Sequence, residues 1–324
     1  MNVISNYQKI IEDELNKLRF SRDPHRLYDP IRYVLRIGGK RIRPALCMAF
    51  CHFFAGKGDD ALSAALGLEV FHNFTLLHDD IMDNAPIRRN VATVHEKWDA
   101  NTAILSGDAM MIVASKMMLN VPGSCLVQVH KSFLQTGLEV CEGQQYDMDF
   151  EASQNVTPDD YLEMIRLKTA VLIACSMKIG AIIGGASEKD IQLAYDFGQN
   201  LGLAFQLQDD YLDVFGNEND FGKNIGGDIV ANKKTFMLIS CAEKANESQK
   251  NELLYWLNKE SFARDEKVAS VKSLYEQTGV HILCRNKMER YYQMAVDQVD
   301  RLDIDKSYKQ ELAVFAEKLI NRER

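Results

Sequence analysis

The chain has 324 residues, 46% of them hydrophobic and 26% charged, which is enough apolar material for a large globular core. The net charge of −8 argues against nucleic-acid binding, which needs a basic surface. No apolar run is long enough to span a membrane, and the charged N-terminus is not a signal peptide. We therefore expect a cytoplasmic protein without integral membrane association.

Cysteine usage and hydrophobic periodicity indicate a reduced, helical protein. The seven cysteines are odd in number and scattered through apolar stretches, which favours buried thiols over disulfides. Cys47 and Cys51 lie one helical turn apart, but no second pair with metal-ligand spacing follows, so core packing is the favoured interpretation. Six prolines and long stretches with a period of 3.6 residues predict an all-α fold.

The first candidate functional segment is basic and lies near the N-terminus. Residues 38–44 read GGKRIRP, in which two glycines precede three cations. Glycine lets the backbone approach an anion closely, and the cations supply charge. The segment predicts an anion site, although each cation alone is more often a solvated surface charge.

An acidic triplet follows at the end of an apolar helix, which the pattern predicts from about residue 61 to residue 83. The triplet consists of Asp79, Asp80 and Asp83. Because this helix is apolar nearly all round, we expect it at the centre of a helical bundle. Arg88 and Arg89 come shortly after it, and their guanidinium groups match the geometry of phosphate oxygens.

Another helix begins with a clear start signal. Thr157 is a good N-cap and Pro158 suits the first helical position, so the helix should run from there to about Gly184. It carries Lys168 and Thr169 in an otherwise apolar stretch. Alone this cation is more often a surface charge, but together the basic groups of the chain provide cations for two anions, one bound through metal and one bound directly.

A second buried helix, predicted from Tyr195 to Phe215, carries a second acidic triplet. This triplet consists of Asp209, Asp210 and Asp213, and Lys223 and Lys233 follow it in a glycine-rich stretch. Two buried helices that each end in an acidic cluster predict a large single-domain helical bundle around a deep central cavity. After residue 240 the pattern is ordinary amphipathic helix, and no chemistry is evident in it.

Both triplets have the spacing DDxxD. On a helix, residues i and i+4 share a face, so Asp79 points the same way as Asp83, and Asp209 the same way as Asp213. Such carboxylates need a cation, and oxygen ligands suit Mg²⁺, with Mn²⁺ as a substitute. Mg²⁺ usually bridges carboxylates to substrate phosphates, so two triplets predict a metal-dependent grip on one phosphorylated substrate. A single DDxxD would be explained equally well as a solvated helix end, but the duplication weakens that alternative.

The motifs GGKRIRP, LLHDDIMDNAPIRR and FQLQDDYLDVFG occur in this order within about residues 30 to 240. In this combination the chain resembles the trans-isoprenyl diphosphate synthases of the polyprenyl synthetase family. The resemblance implies one isoprenyl diphosphate synthase domain over residues 1–324 with the isoprenoid synthase fold. It also implies an Mg²⁺-dependent head-to-tail condensation of isopentenyl diphosphate with an allylic diphosphate of C5, C10 or C15.

The resemblance assigns roles to individual residues. It places Mg²⁺ and the allylic diphosphate on Asp79, Asp83 and Asp209, with Asp80, Asp210 and Asp213 as further acidic groups at or behind the metal. The implied contacts to the allylic diphosphate are Arg88, Lys168, Thr169, Gln206, Lys223 and Lys233. The implied direct contacts to isopentenyl diphosphate are Lys40, Arg43, His72 and Arg89. Asp79, Asp83, Asp209, Lys168 and Lys223 are then the catalytic set, and released diphosphate is the base.

Three positions depart from the family pattern: Asn90 replaces a glycine, Ala92 a proline and Met237 a proline. None of them removes a charged group, so we expect activity to be retained. Asn90 still tolerates a positive φ angle. The first triplet also lacks the two-residue insertion of bacterial short-chain farnesyl synthases.

Product length should depend on the helix that leads to Asp79. Phe74 lies about 7.5 Å further along that helix, given its rise per residue, and Phe71 lies one turn beyond on nearly the same face. A benzyl side chain facing the cavity would stop the growing chain. In the family an aromatic residue here goes with C15 to C20 products, so we expect geranylgeranyl diphosphate first and farnesyl diphosphate second. The alternative is that Phe74 only packs in the core.

Two other functions remain as alternatives at this point. A class I terpene cyclase also ionises allylic diphosphates, but it has no use for a second diphosphate site such as GGKRIRP. A non-catalytic subunit of a heteromeric prenyl synthase would be expected to lose one acidic cluster, and this chain keeps both. The resemblance also implies a homodimer, for which an apolar helix near residues 105–120 could serve.

Overall fold

The computed structural model describes residues 2–20, 23–153, 155–216 and 225–320, and within them the chain is almost entirely helical. The first ten helices are α1 Val3–Lys17, α2 His25–Arg36, α3 Ile42–Ala55, α4 Leu62–Met82, α5 Val94–Lys97, α6 Ala100–Met117, α7 Leu126–Ala152, α8 Pro158–Ile165, α9 Val171–Ile183 and α10 Glu188–Phe215. The others are α11 Gly227–Val230, α12 Phe236–Lys244, α13 Glu247–Asn258, α14 Arg264–Gln277, α15 Val280–Arg301 and α16 Lys306–Ile320. A 3₁₀ turn covers Asp59–Ala61, a π turn covers Arg166–Ala170, and strands β1 Ile87–Arg88 and β2 Val91–Ala92 form one antiparallel hairpin. The predicted all-α fold class is confirmed.

The chain separates into two compact units. Unit 1 comprises Met1–Thr136, Cys175–Tyr195 and Asp303–Asp305, and unit 2 comprises Gly137–Ala174, Asp196–Leu302 and Lys306–Arg324. The basic segment 38–44 and the first acidic triplet therefore belong to unit 1. Lys168 and the second triplet belong to unit 2. That residues 1–324 form one synthase domain stays a prediction.

In unit 1 the central element is α4, which spans Leu62–Met82 and closely matches its predicted bounds. Its contacts are mainly with α6. Small residues permit this close packing, because a Cβ on Gly67 would lie 3.0 Å from the carbonyl oxygen of Ala114. A Cβ on Gly107 of α6 would likewise overlap the ring of His78. Close packing against α6, which reaches His78, therefore helps to fix the C-terminal end of α4, where the first triplet lies.

In unit 2 the helices pack around a core that includes Tyr161, Leu207, Trp256 and Leu274. Thr157 caps α8 in a capping box with Asp160, so the predicted helix start is confirmed. The helix does not continue evenly to Gly184 as predicted, since the π turn interrupts it between α8 and α9. The helix carrying the second triplet, α10, begins at Glu188, seven positions before the predicted Tyr195.

All seven cysteines are free thiols, as the scattered spacing predicts. Cys47 and Cys51 are fully buried on α3, so their place is in the core of unit 1. Burial raises the pKa of Cys51 to about 12 and that of Cys47 well above its usual range. Both therefore stay protonated and inert. Within the described residues, no helix combines the length and the apolar character that crossing a membrane requires.

Candidate active site

The first acidic triplet divides into an outer pair and an inner carboxylate. Asp79 and Asp83 lie one turn apart at the end of α4, and Asp83 is exposed. Asp80 is only 5% exposed and accepts a hydrogen bond of 2.7 Å from Nε of Arg88. Burial raises the pKa of the Asp80 carboxyl, and Arg88 offsets part of that effect. The outer pair therefore provides the accessible oxygens, while Asp80 is held by an arginine.

The three cations of residues 38–44 do not act alike. Arg41 points into unit 1, where its guanidinium donates to Glu69 at 2.6 Å and to Glu12 at 2.8 Å. It begins α3 with a left-handed φ of 49° and is 4% exposed. Arg41 therefore forms structural ion pairs inside unit 1. The anion site predicted for residues 38–44 then depends on Lys40 and Arg43.

Arg43 and His72 form the inner part of a cationic cluster in unit 1. Nη1 of Arg43 lies 3.2 Å from Nε2 of His72, and Nε of Arg43 is buried without a hydrogen-bond partner among the described residues. Desolvation lowers the pKa of Arg43 to about 10, and Arg89 adds to that effect. Burial, together with the positive charges of Arg43 and Arg89, keeps the pKa of His72 well below its usual range. The two arginines are held close to each other beside an imidazole that stays neutral, and this arrangement favours a bound anion.

Arg88 and Arg89 are placed by the β-hairpin, which the sequence pattern does not predict. Its turn residues Arg89 and Asn90 have φ angles of 50° and 64°, the combination required by a type I′ turn. Asn90 thus fills the positive-φ position expected of the missing glycine. Arg89 donates back to the carbonyl oxygen of Gly38, and a Cβ on Gly39 would lie 2.9 Å from that guanidinium. The glycine pair therefore gives Arg89 room beside residues 38–44.

The second acidic triplet in unit 2 shows the same division. Asp209 and Asp213 are partly exposed, while Asp210 is 3% exposed. The hydroxyl of Tyr161 donates to one oxygen of Asp210, and the amide of Gln206 donates to the other at 3.1 Å. Burial raises the pKa of the Asp210 carboxyl to about 7, although both donors lower it. The middle carboxylate is again held by protein donors.

Lys168 and Thr169 lie in the π turn, a local widening of a helix that often occurs at functional sites. Nζ of Lys168 lies 2.6 Å from a carboxylate oxygen of Asp147, and the hydroxyl of Thr169 donates to Gln206 at 3.3 Å. A Cβ on Gly143 would overlap the backbone nitrogen of Lys168. The turn therefore links the lysine to α7 and the threonine to the Gln206–Asp210 pair.

Residues 225–232 form a short segment, here called the connecting segment, that leads directly to Lys233. Its first residues contact Asp213 through hydrogen bonds. A carboxylate oxygen of Asp213 accepts the backbone N–H of Asp228 at 3.0 Å. Lys233 is exposed, and its charge lowers the pKa of Asp210, so it lies near the second triplet. Lys223, the other lysine predicted here, lies outside the described residues.

The predicted floor residues Phe71 and Phe74 have different surroundings. Phe71 is 1% exposed and packs edge to face on Phe133, with ring centroids 5.3 Å apart. Phe74 is partly exposed, and its ring centroid lies 5.5 Å from Phe71 and 4.8 Å from His78. Nε2 of His78 faces the carbonyl oxygen of Ile104 at 3.2 Å, so this histidine joins α4 to α6.

The outer carboxylates suit a divalent cation that prefers oxygen. Among the described residues no three carboxylate, histidine or cysteine side chains form a ready metal cage. Mg²⁺ is seldom bound that way, since it usually takes one or two carboxylates, water and substrate phosphates. The outer pair Asp79 and Asp83, one turn apart on α4, fits this requirement.

Comparison with known proteins identifies the family. Residues 24–278 match the family model described as polyprenyl synthetase. A short chain isoprenyl diphosphate synthase of Methanothermobacter thermautotrophicus is 34% identical over 325 residues, covering 100% of this chain and 98% of the relative. A geranylgeranyl diphosphate synthase of Sulfolobus acidocaldarius is 34% identical over 309 residues, covering 93% of each. The crystal structure of a geranylgeranyl pyrophosphate synthase has a TM-score of 0.94 at 44% identity, covering 100% of both chains.

The helical architecture and the two DDxxD helices define an enzyme with the isoprenoid synthase fold. The chain belongs to the polyprenyl synthetase family. It is a prenyltransferase whose reaction class is the synthesis of short-chain trans-prenyl diphosphates, as its motifs predict. The family match favours this activity over the terpene cyclase alternative.

Three residues around the site were not predicted from the sequence. Tyr161 holds Asp210, Asp147 pairs with Lys168, and Glu69 receives Arg41. Asp147 lies in the polar run GQQYDMD of α7, and that run was a signal that could have been used. Tyr161 and Glu69 fit the hydrophobic and polar patterns of ordinary helices, so no sequence signal distinguishes them.

Proposed function

We propose that the chain condenses isopentenyl diphosphate with an allylic diphosphate in the presence of Mg²⁺ and releases a C20 all-trans prenyl diphosphate. The observation that carries this proposal is the cationic cluster of unit 1. Arg43, His72 and Arg89 have no carboxylate hydrogen-bonded or ion-paired to them among the described residues, although the acidic triplet lies on the same helix as His72. A condensation needs a second diphosphate site of this kind, whereas a cyclisation does not.

In this proposal the allylic diphosphate binds with Mg²⁺ at Asp79, Asp83 and Asp209. Mg²⁺ supplies neutralisation of the charge that develops on the leaving diphosphate. Lys168 and Lys233 add fixed positive charge, with Arg88, Thr169 and Gln206 as further contacts and Lys223 in the same role. Groups placed before the reaction stabilise the departing diphosphate without reorganisation at the moment of bond breaking.

We propose that Asp80 and Asp210 position the site instead of binding Mg²⁺ directly. Each is buried and already accepts strong hydrogen bonds, Asp80 from Arg88 and Asp210 from Tyr161 and Gln206. Both oxygens of Asp210 accept such bonds, so a direct metal bond there would require a contact to rearrange. At Asp80, Arg88 holds one oxygen, and burial to 5% exposure limits the access of a metal ion. The role of Asp213 at the metal stays a prediction, because one of its oxygens accepts a backbone N–H.

Isopentenyl diphosphate binds in the proposal at Lys40, Arg43, His72 and Arg89. The C–O bond of the allylic substrate breaks first, which gives an allylic cation and diphosphate. The terminal alkene carbon of isopentenyl diphosphate then forms the new C–C bond. The new bond leaves a tertiary cation at C3 of isopentenyl diphosphate. C2 then loses a proton to the released diphosphate, which forms the C2=C3 double bond, so the reaction needs no protein base.

The C20 assignment is supported by the relatives and by Phe74. Relatives from several archaea are named geranylgeranyl diphosphate synthase. The partly exposed ring of Phe74 packs between Phe71 and His78, which limits its movement. A fixed aromatic ring at that position would block further elongation, and C15 remains the second expectation.

We also propose a homodimer formed through α6. Leu105 and Ile112 on this helix are 61% and 63% exposed, which is unusual for large apolar side chains so close together. Ile104 on the same helix is 42% exposed. A second copy would bury this surface, and analytical ultracentrifugation would measure the association.

A condensation assay tests the proposed activity. The purified chain would receive isopentenyl diphosphate with dimethylallyl, geranyl or farnesyl diphosphate, with Mg²⁺ or with excess chelator, and mass spectrometry would identify the products. We expect a metal-dependent C20 product, which Asp79→Asn should abolish. Asp59→Asn, an exposed aspartate far from the triplet in sequence, is the matched control. Loss of diphosphate from the allylic primer alone would instead indicate a cyclase, and no reaction would indicate a non-catalytic subunit.

A further inference from the structure

Lys267 is a completely buried lysine in a part of the chain where the sequence shows no chemistry. It lies in the first turns of α14, and its exposed fraction is 0%. Lysines are almost never fully buried unless their ammonium group has partners, because losing water is costly. Its desolvation lowers its pKa. An apolar residue would fill the same space more cheaply, so the ammonium group calls for an explanation beyond packing.

The contacts of Lys267 are directed at the connecting segment. Nζ donates to Oδ1 of Asn232 at 2.6 Å and to the carbonyl oxygen of Val230 at 3.3 Å. It also lies 4.2 Å from the ring centroid of Phe262, at the distance of a cation–π contact. No carboxylate pairs with it among the described residues. Its hydrogen bonds therefore go to the end of the connecting segment that leads to Lys233.

Asn232 needs this support because its backbone is in a less common conformation. Its φ angle is 55°, in the left-handed region, and its side-chain amide donates to the carbonyl oxygen of Leu257 at 2.9 Å. The next residue, Lys233, donates its backbone N–H to the carbonyl oxygen of Asp228 at 2.9 Å. Fixing Asn232 on both sides therefore fixes where Lys233 leaves the segment.

The other end of the connecting segment is attached to α14 and to the second triplet. Arg264, one turn before Lys267, donates to the carbonyl oxygen of Ile225 at 2.6 Å. The backbone N–H of Gly226 donates to the carbonyl oxygen of Asp213 at 2.6 Å. Gly226 has a φ of 80°, and a Cβ there would lie 2.6 Å from a methyl group of Val268. The segment is thus held along its length by α14, between an acidic residue and a lysine of the proposed diphosphate site.

We propose that Lys267, assisted by Arg264, is a positioning residue that fixes Lys233 relative to the second acidic triplet. This inference rests on the proposed function, since it assigns Lys233 to the allylic diphosphate. Electrostatic stabilisation of a leaving group depends on charges that are already in place. At metal sites, loss of a residue that hydrogen-bonds a metal ligand lowers activity or metal affinity about 10- to 100-fold, and we expect an effect at the lower end of that range here.

The test is Lys267→Met, which keeps most of the side-chain volume and removes the ammonium group. We expect the KM for the allylic diphosphate to rise by about tenfold or more, or kcat to fall by that factor. The KM for isopentenyl diphosphate, whose proposed contacts lie in unit 1, should change less than twofold. Arg264→Met, at a partly exposed position, should have a smaller effect of the same kind and is the second variant if Lys267→Met does not fold.

Val271→Ala is the matched control. Val271 is buried one turn further along α14, so its truncation destabilises the same helix without removing a hydrogen bond to the connecting segment. At a temperature well below both unfolding transitions, the control should keep the wild-type KM for both substrates. Equal changes in Lys267→Met and Val271→Ala would show a purely structural role and overturn the proposal.

Hydrogen exchange gives a readout that does not depend on catalysis. The amides of Asn232 and Lys233, which donate to the carbonyl oxygens of Ile229 and Asp228, should exchange faster in Lys267→Met than in the wild type, because this end of the segment loses its support. Unchanged protection of these amides would also overturn the proposal. If the wild-type chain shows no condensation, the proposed function fails, whereas the exchange experiment still reports on Lys267.

Discussion

Arg41→Met tests whether the three cations of residues 38–44 have different purposes. The guanidinium of Arg41 is buried and donates to Glu69 at 2.6 Å, to Glu12 at 2.8 Å and to the carbonyl oxygen of Leu35 at 2.8 Å. Methionine fills a similar volume but provides no donor. Within the part of the chain that the structure describes, the buried Glu69 carboxylate would then keep only the hydrogen bond from the side-chain amide of Asn73, at 3.2 Å.

The size of the effect follows from leaving a charge buried without its partner. Breaking a buried ion pair from one side costs about 3–5 kcal/mol. Total stabilities are about 5–15 kcal/mol, so Arg41→Met should lose a large part of the stability of the chain. A chain of this size loses a few degrees of Tm for each kcal/mol, so we expect a fall of roughly 5–10 °C. The double variant Arg41→Met with Glu69→Met should recover most of the loss, because both charges are removed.

The assay is thermal and denaturant unfolding followed by circular dichroism, with Lys40→Met as the matched control. Lys40 is exposed, so its replacement should leave Tm unchanged and raise the KM for isopentenyl diphosphate. The reasoning is refuted if Arg41→Met costs less than about 1 kcal/mol, the level of an exposed pair. It is also refuted if the double variant is no more stable than Arg41→Met alone.

Three further predictions concern single side chains. Phe74→Ala should lengthen the product beyond C20 in the mass spectrum, and an unchanged product distribution would place the floor elsewhere. Tyr161→Phe removes the hydroxyl that donates to Asp210 and should lower kcat about tenfold, since supporting contacts are worth that much, with the KM for isopentenyl diphosphate unchanged. The folded structure lowers the pKa of His72, so as the pH falls the unfolded chain takes up this proton at a higher pH than the folded chain does. The free energy of unfolding should therefore decrease as the pH drops below about 6.5. The denaturant midpoint should depend less on pH in His72→Gln than in the wild type. The same change of midpoint with pH in both proteins would contradict this reasoning.

The parts of the fold that the sequence predicts are those encoded by local signals. The bounds of α4 were predicted within one residue, because an apolar period stops at a cluster of charges. The start of α8 was predicted from Thr157 and Pro158, since capping depends only on neighbouring residues. The π turn and the β-hairpin were missed, because each depends on packing or turn geometry that the hydrophobic period does not describe.

The sequence predicts that both acidic triplets lie on helices, and the structure confirms this placement, whereas the binding of metal and diphosphate by these residues stays a prediction. The motifs identified both triplets, and helical spacing correctly separated Asp79 and Asp83 from Asp80. Spacing could not show that Asp80 and Asp210 are held by protein donors, because Arg88 and Tyr161 approach them from other elements. The same limit applies to Arg41, whose partners Glu12 and Glu69 lie on α1 and α4.

Lys267 shows why support of a site is harder to predict than the site itself. The hydrophobic period assigns every lysine to the solvent face of a helix, and on α14 this assignment is wrong at Lys267. The reason is tertiary: Asn232 and Val230 present acceptors to the helix from a segment more than 30 positions away. Residues that touch the diphosphates are constrained by chemistry and form motifs. Residues that hold those groups in place are constrained only by the local packing, so α14 can contribute to the reaction without carrying a motif.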